Sequence, residues 1–507
     1  MAKQVSFNTE KVLKGLNLAS DVVKSTLGPK GRNVGLSDPS GVAHEITNDG
    51  VFIANQIKLE DREEDFGAWL IRNATSATND DAGDGTTGTA VLTQATIQEC
   101  LKRPENEMDI KTSLFEARDE VVEEIKKVSR PVKTDEQIRQ IATISAESEK
   151  YGDMITEIIK KVGRKGTITL DDSRTFDTHY EIVEGYEANV GFTSPYFITN
   201  KEKASAEFEK VYVAVFQSKI STISDIKYLG DILKINAIDK LVIVCQEIES
   251  AMHDNFVANH LAPVGLKNVV VRAGHADLIR DIASSVGATV IGGEAGVSHE
   301  NMTLEHLGFA DKVIVKEKKS IFFRKGCKTA KAESKRLEEL SKGNTNEYEK
   351  AKYLERASKL KGDIAVIKVG AKTDLERRYL KKKLEDAVNA TQSAIEEGVV
   401  EGGGMTLYRI AEKLKGGTIG KDILKKVLTA PLKTIIENSG KDYAEIIKNI
   451  PDKKGYDAKN DENVNMFEKG IIDPSKVVRC AVENAVGTAG IFITMPIIIT
   501  DIVEKND

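Results

Sequence analysis

The feature that most constrains this fold is a helical pattern at both ends of the chain with a strand-rich stretch between them. Near the start, Thr9 is placed to cap a helix that carries Val12, Leu13, Leu16, Val23 and Leu27, and Gly28-Pro29 stops it. Helical patterns follow over 66–79, from the turn at Gly83 toward Cys100, over 109–128 and over 134–144. Beyond Gly402-Gly403-Gly404 the chain reads as helical again, including 430–449. Between these ends, 166–170, 180–183, 211–216, 241–244 and 268–271 read as strands with helix-like segments among them, the signature of an α/β domain. Residues 328–360, rich in Lys and Glu, read as a charged helical hairpin, and 364–369 as another strand. Because the two ends are alike, the α/β piece reads as an insertion into one helical domain. The 507 residues suffice for about three domains at roughly 150 residues each.

Charge and cysteine usage narrow the function classes. With 73 basic and 79 acidic residues the net charge is −6, so no basic field points to nucleic acid. Cys100, Cys245, Cys327 and Cys480 are far apart and form no C-x-x-C pair, which suggests a reducing compartment and neither a zinc cage nor a disulfide framework. The start has no apolar signal core, and the apolar run 490–499 is short and holds Pro496, so it reads as a buried helix end plus a strand. A cytoplasmic protein without membrane or nucleic-acid partners is expected.

The richest local motif is Gly83-Asp84-Gly85-Thr86-Thr87-Gly88, a glycine-rich turn opening onto a helix. Glycines let the backbone approach an anion, N–H groups at a helix start point at it, and the helix dipole favours its charge. Asp84 is suited to hold Mg2+ between protein and phosphate. The match to G-x-G-x-x-G is not a dinucleotide fingerprint, since no strand precedes it. Gly416-Gly417-Thr418-Ile419-Gly420-Lys421-Asp422 lacks the spacing and the Ser/Thr of a P-loop and reads as a surface loop. An ordinary loop and helix cap would use the same residue types as the Asp84 turn. Asn48-Asp49-Gly50 suits a hairpin turn with Asp49 at its tip, where an aspartate is usually structural. Thr373-Asp374-Leu375-Glu376 is a capping box that opens a long helix with Leu380, Leu384 and Val388 on one face and Asp386 within it, closing near Gly398.

Taken together, Thr26-Leu27-Gly28-Pro29-Lys30-Gly31-Arg32-Asn33, Thr47-Asn48-Asp49-Gly50, Ala82-Gly83-Asp84-Gly85-Thr86-Thr87 and Glu396-Glu397-Gly398-Val399-Val400-Glu401-Gly402-Gly403-Gly404 resemble the group I chaperonins, the bacterial GroEL type. Ser194-Pro195-Tyr196-Phe197 and the closing Lys505-Asn506-Asp507 match as well, in the family's order and over nearly the whole chain. The resemblance implies a multidomain α+β and α/β protein: a mostly helical, discontinuous equatorial domain (1–127 and 397–507), a small intermediate domain (128–184 and 364–396) and an α/β apical domain (185–363). It implies an ATPase that assists protein folding in a ring cavity. Leu27, Gly28 and Pro29 would line ATP, Gly85, Thr86, Thr87 and Gly88 its phosphates, and Gly403, Asp457 and Asp473 its base and ribose. Asp84 would hold Mg2+, with Thr26, Asn48 and Thr87 near K+, and Asp49 and Asp386 would position or activate the attacking water. Phe192, Tyr196, Phe197, Val257 and Ala258 would bind clients, although the aromatics could equally be core. The implied partners are unfolded proteins, a heptameric ring of identical chains and a co-chaperonin.

The chain departs from the family at several of these positions. Gly88 stands where the family usually has threonine, Asn48 where lysine is common, and Asp457 where an asparagine often contacts the base. Lys227, Gly230 and His253 fall where the family carries leucines. Gly88 and the apical substitutions leave room for a ring-forming holdase or scaffold with a weakened ATP cycle, whereas a small-molecule kinase would need an acceptor pocket of which the sequence has no signature.

Overall fold

The computed structural model describes residues 3–6, 8–37, 44–164, 166–173, 175–201, 203–293, 296–344 and 346–501. The Lys505-Asn506-Asp507 match, and Met1, Ala2 and Phe7 at the start, lie outside them. The chain divides into two compact units, one formed by the residues up to Lys160, Asp172–Thr178 and those from Val369 on, the other by Lys161–Asp171 and His179–Lys368. This division does not set residues 128–184 and 364–396 apart as a unit of their own.

The first unit is helical. The helix Thr9–Lys24 is capped by Asn8, one residue before the expected Thr9, through bonds from the Glu10 and Lys11 N–H groups. It lies directly on Arg62–Ala82, and glycine permits the contact: a Cβ on Gly15 would fall 1.8 Å from the Glu64 carbonyl oxygen, and one on Gly67 1.9 Å from that of Val12. The helix Thr86–Cys100 buries residues all round its circumference, as expected for a central helix. Three of its buried threonines are satisfied: Thr89 Oγ1 donates to Thr78 Oγ1 at 3.0 Å, Thr93 Oγ1 to the Thr89 carbonyl at 2.8 Å and Thr96 Oγ1 to the Leu92 carbonyl at 2.7 Å. Leu16, Ile53, Ile71, Leu92, Leu114 and Val482 share the core around it, and burying each such side chain stabilises the fold by about 1.5–3 kcal/mol. The 490–499 stretch divides as expected, into the end of the helix Ser475–Phe492 and the strand Ile498–Asp501, which pairs antiparallel with Lys3–Ser6.

One local expectation is corrected. A hairpin does form, between Val34–Ser37 and His44–Thr47, but Asn48-Asp49-Gly50 is not its turn. It follows the second strand and starts the helix Gly50–Gln56, with Asp49 as N-cap. Asp-Gly serves a hairpin tip or a helix start equally well, and the apolar run Val51–Ala54 settles it as a helix.

The second unit is built on an eight-stranded mixed sheet in the order Ile168–Asp172, Asp363–Val369, His179–Ala188, Ser320–Phe323, Gly308–Val315, Ala206–Ile220, Lys240–Ile248, Lys267–Arg272. The last three strands run parallel, and their runs Val213–Phe216, Leu241–Cys245 and Asn268–Val271 are fully buried, as parallel strands covered on both faces require. The charged hairpin forms as Lys328–Gly343 and Glu347–Lys361. Arg356 fastens it to Ala276–Val286 through Asp277 and the buried Asp281, each at 2.9 Å. Among the described residues no helix is long and apolar enough to cross a membrane.

Candidate functional site

The site forms within the helical unit, around the turn between Arg62–Ala82 and Thr86–Cys100. Gly83 and Gly85 both adopt left-handed backbone, φ 68° and 79°, which a residue with a Cβ enters at a cost. A Cβ would moreover strike Asn389 at Gly83 and Val477 at Gly85, at 2.6 and 2.4 Å. Gly85 stands at the N-cap and offers no side chain, so no side chain caps the first N–H groups of the Thr86 helix. Asp84 accepts from the Gly85 N–H at 2.6 Å and from the Ser145 hydroxyl.

Other segments converge on this turn. Thr26 Oγ1 lies 3.4 Å from Thr87 Oγ1, and Asn438 Nδ2 holds the Thr26–Pro29 bend by donating to the Lys24 and Leu27 carbonyls at 2.9 Å each. Gly50 approaches so closely that a Cβ there would fall 2.5 Å from Thr87 Oγ1. Asp49, next to Asn48, accepts from the Val51 and Phe52 N–H groups at 3.1 and 3.3 Å. The helix Asp374–Glu397 brings Asp386 and is anchored by Ser393 Oγ donating to the Ala82 carbonyl at 3.0 Å. Its expected capping box is half formed: Thr373 accepts from the Glu376 N–H, but the Glu376 carboxylate reaches the Lys372 N–H. Asp473 faces Val400 across the strand pair Val399–Glu401 and Ile472–Pro474, and the Gly403 N–H bonds its carboxylate.

Electrostatics confirm the convergence of the acids. Burial raises the Asp386 carboxyl well above its ordinary range, and repulsion from Asp84 and Asp49 adds to this. Burial likewise raises Asp84 and Asp49, with Lys383 and Lys382 respectively opposing the rise. Asp473 is pushed up to about 7, by burial and then by Asp84. Carboxylates from four distant segments therefore lie within electrostatic reach of Asp84, directly or in turn, beside an open helix start.

The residues fit a nucleotide–metal pair. Two αL glycines and uncapped N–H groups suit phosphate. No group of three or more His, Cys, Asp or Glu among the described residues could cage a metal alone, whereas Mg2+ is commonly held by one or two carboxylates and completed by phosphate and water. Leu27 packs near Tyr456, Ala458 and Ile435. Asp457 spends its carboxylate within its own turn, accepting from the Lys459 and Asn460 N–H groups and from Asn460 Nδ2. A Cβ on Gly88 would meet nothing within 4 Å, so a missing side chain there leaves open space. Ser145, Lys382 and Lys383 adjoin the acids and were not singled out in the sequence; the only signal was the four-residue step from Lys382 to Asp386.

The chain matches the TCP-1/cpn60 chaperonin family over residues 19–503. It belongs to that family. Among solved structures it is similar to the chaperonin gp146 from bacteriophage EL 2 (Pseudomonas aeruginosa) in the presence of ATP-BeFx. Crystal form II of that protein gives 21% identity and a TM-score of 0.72, covering 97% of this chain and 98% of that one. Crystal form I gives 20% and 0.65 over the same shares. At this identity the likeness shows the fold. The chain is thus a divergent chaperonin related to the group I type, and its general role is that of a chaperone.

In the second unit the residues expected to bind clients divide. Tyr196 is 66% exposed, Ala258 is exposed, and Phe192 and Val257 are half-buried. Phe197 is fully buried, edge-on to His253 and His260 with ring centroids at 5.9 and 5.7 Å. It packs the core and presents no surface to a client in this conformation.

Proposed function

We propose that this chaperonin is an ATP-driven, ring-forming folding machine. The observation that carries the reading is the gathering of Asp49, Asp84, Asp386 and Asp473 around the Gly83–Gly88 turn. In it, Thr86, Thr87, Gly85, Gly88 and the helix start hold the phosphates, Leu27, Gly28, Pro29, Gly403, Asp457 and Asp473 border the nucleoside, and Asp84 is the Mg2+ ligand. Thr26, Asn48 and Thr87 supply oxygens suited to K+. The ions, when bound, neutralise phosphate charge. Asp49 and Asp386 orient the attacking water, and burial makes Asp386 a stronger proton acceptor than an exposed aspartate.

The equatorial (1–127, 397–507), intermediate (128–184, 364–396) and apical (185–363) division belongs to the same proposal, as do a cytoplasmic location, a heptameric ring and a co-chaperonin. Clients would meet Tyr196, Phe192, Val257 and Ala258, joined by the exposed Ile223, Ile235 and Val264. The rival, a holdase with a weakened cycle, draws on Gly88 and on the self-satisfied Asp457.

Steady-state ATPase of the full chain, with and without an unfolded protein, separates the two. The proposal expects hydrolysis that responds to client, and Asp386→Ala that still binds ATP but turns over at least about tenfold more slowly. Client capture without hydrolysis, or Asp386→Ala at wild-type rate, would refute it.

A further inference from the structure

The helix that brings Asp386 to the site is held there by a side chain the site does not otherwise use. Lys382 precedes Asp386 by four residues and so lies on the same helical face. Its Nζ sits 3.0 Å from the centroid of the Phe52 ring and 2.5 Å from Glu45 Oε1. The lysine is three-quarters buried, and so is the glutamate. A cation on an aromatic face with a carboxylate closing its open side is fixed in direction as well as distance, because ring and carboxylate attract it from different sides.

Both partners are tied to the second catalytic candidate. Phe52 is in the first turn of the helix Gly50–Gln56, and its N–H is one of the two that Asp49 accepts, at 3.3 Å. Glu45 belongs to the strand His44–Thr47 that ends just before Asn48 and Asp49. One ammonium thus joins three segments: the helix of Asp386, the helix capped by Asp49, and the strand leading into that cap. It also lies close enough to Asp49 to oppose the effect of burial there. The companion Lys383 pairs with Glu147 at 2.8 Å and acts on Asp84 and Asp386 by charge, and among the described residues no ring or carboxylate of the Asp49 segments holds it.

We propose that Lys382 is a positioning residue for ATP hydrolysis, clamped between Phe52 and Glu45 so that Asp386 and Asp49 are held in register about one water site. The inference rests on reading this site as an ATPase. Among the described residues no hydrogen bond or ion pair of Lys382, Glu45 or Phe52 reaches the Gly83–Gly88 turn or the Thr26–Pro29 bend, so the loss of the clamp is expected to act on turnover more than on nucleotide affinity.

Two measurements on the full chain test it. Lys382→Met and Phe52→Leu are each expected to lower kcat at least about tenfold while KM for ATP changes less than about twofold. Lys382→Arg and Phe52→Tyr, which keep a cation and a ring, are expected to recover most of the rate. Amide hydrogen exchange without nucleotide should rise over Asp374–Glu397 in Lys382→Met and return to the wild-type level in Lys382→Arg. Wild-type kcat in Lys382→Met, or a rise in KM that accounts for the whole loss, would overturn the proposal. If the wild type itself hydrolyses no ATP, the reading of the site fails instead, and unchanged exchange in Lys382→Met would then overturn the clamp independently.

Discussion

Two carboxylate sites in this chain are built in opposite ways. In the helical unit Asp49, Asp84, Asp386 and Asp473 crowd together with Lys382 and Lys383 as the cations that temper Asp49, Asp84 and Asp386; burial raises all four, and repulsion adds to it from Glu385 at Asp49, from Asp49 at Asp84, from Asp84 and Asp49 at Asp386 and from Asp84 at Asp473. In the α/β unit burial alone would raise Asp171, but hydrogen bonds from Lys312 and Lys368, at 2.8 and 3.1 Å, hold it well below the usual carboxylate range, with Lys203 at 3.7 Å. The difference separates function from structure. A carboxylate surrounded by cations is already neutralised and serves the fold, whereas an excess of acid beside open N–H groups is unfavourable until a cation arrives, which is the condition of a binding site.

The largest test breaks another ion-paired carboxylate of the α/β unit, Asp281, which burial raises although Arg356 lowers it. Arg356→Met leaves Asp281 buried without its bidentate partner, and the expected cost is about 3–5 kcal/mol. Trp69, the single tryptophan, lies in the helical unit. Chemical denaturation should therefore show a far-ultraviolet transition moved to lower denaturant while Trp69 fluorescence reports its own transition unchanged. Coincident shifts of both would show that the pair does not act locally.

The next test acts on the uncompensated side. Asp473 has a folded value near 7 and an ordinary unfolded one, so the folded state binds the extra proton between about pH 4 and 7. Its contribution is present below that window and is lost as pH rises through it. Without nucleotide or metal, Asp473→Asn should stabilise the protein at pH 8 by on the order of 1–3 kcal/mol and have little effect at pH 4. A gain that is equal at both pH values would show that Asp473 carries no such strain.

The smallest effect concerns the cradle. Gly88→Thr has room for its side chain and replaces a poor helix former, so a gain of a few tenths of a kcal/mol is expected with KM for ATP no worse than wild type. A raised KM would mean that the open space is needed by the ligand.

How much of this was legible depends on distance along the chain. Helices with local periodicity, such as Thr9–Lys24 and Glu107–Val128, and continuous apolar strands such as Lys240–Ile248, can be read from neighbouring residues. Gly308–Val315 and Ser320–Phe323 could not, because Asp311 and Lys312 interrupt the first and the second has only four residues. The pairing of Lys3–Ser6 with Ile498–Asp501 joins opposite ends of the sequence and leaves no local mark. The site is the extreme case: the Asp84 turn suited phosphate and an ordinary helix cap alike, and Asp49, Asp386 and Asp473 were joined to it only through the family resemblance. The Lys382 clamp belongs to no motif. Phe197 shows the converse, since an aromatic beside a turn reads the same whether it faces solvent or, as here, the core.

The central claim, that the acid cluster is completed by a metal-bound nucleotide, is tested most directly by calorimetric titration of ATP into the full chain with Mg2+ and with chelator, for the wild type and for Asp84→Ala. The account predicts wild-type binding that is much tighter with Mg2+, and an Asp84→Ala variant in which most of that dependence is gone. Equal Mg2+ dependence in the two proteins, or wild-type binding indifferent to Mg2+, would contradict it.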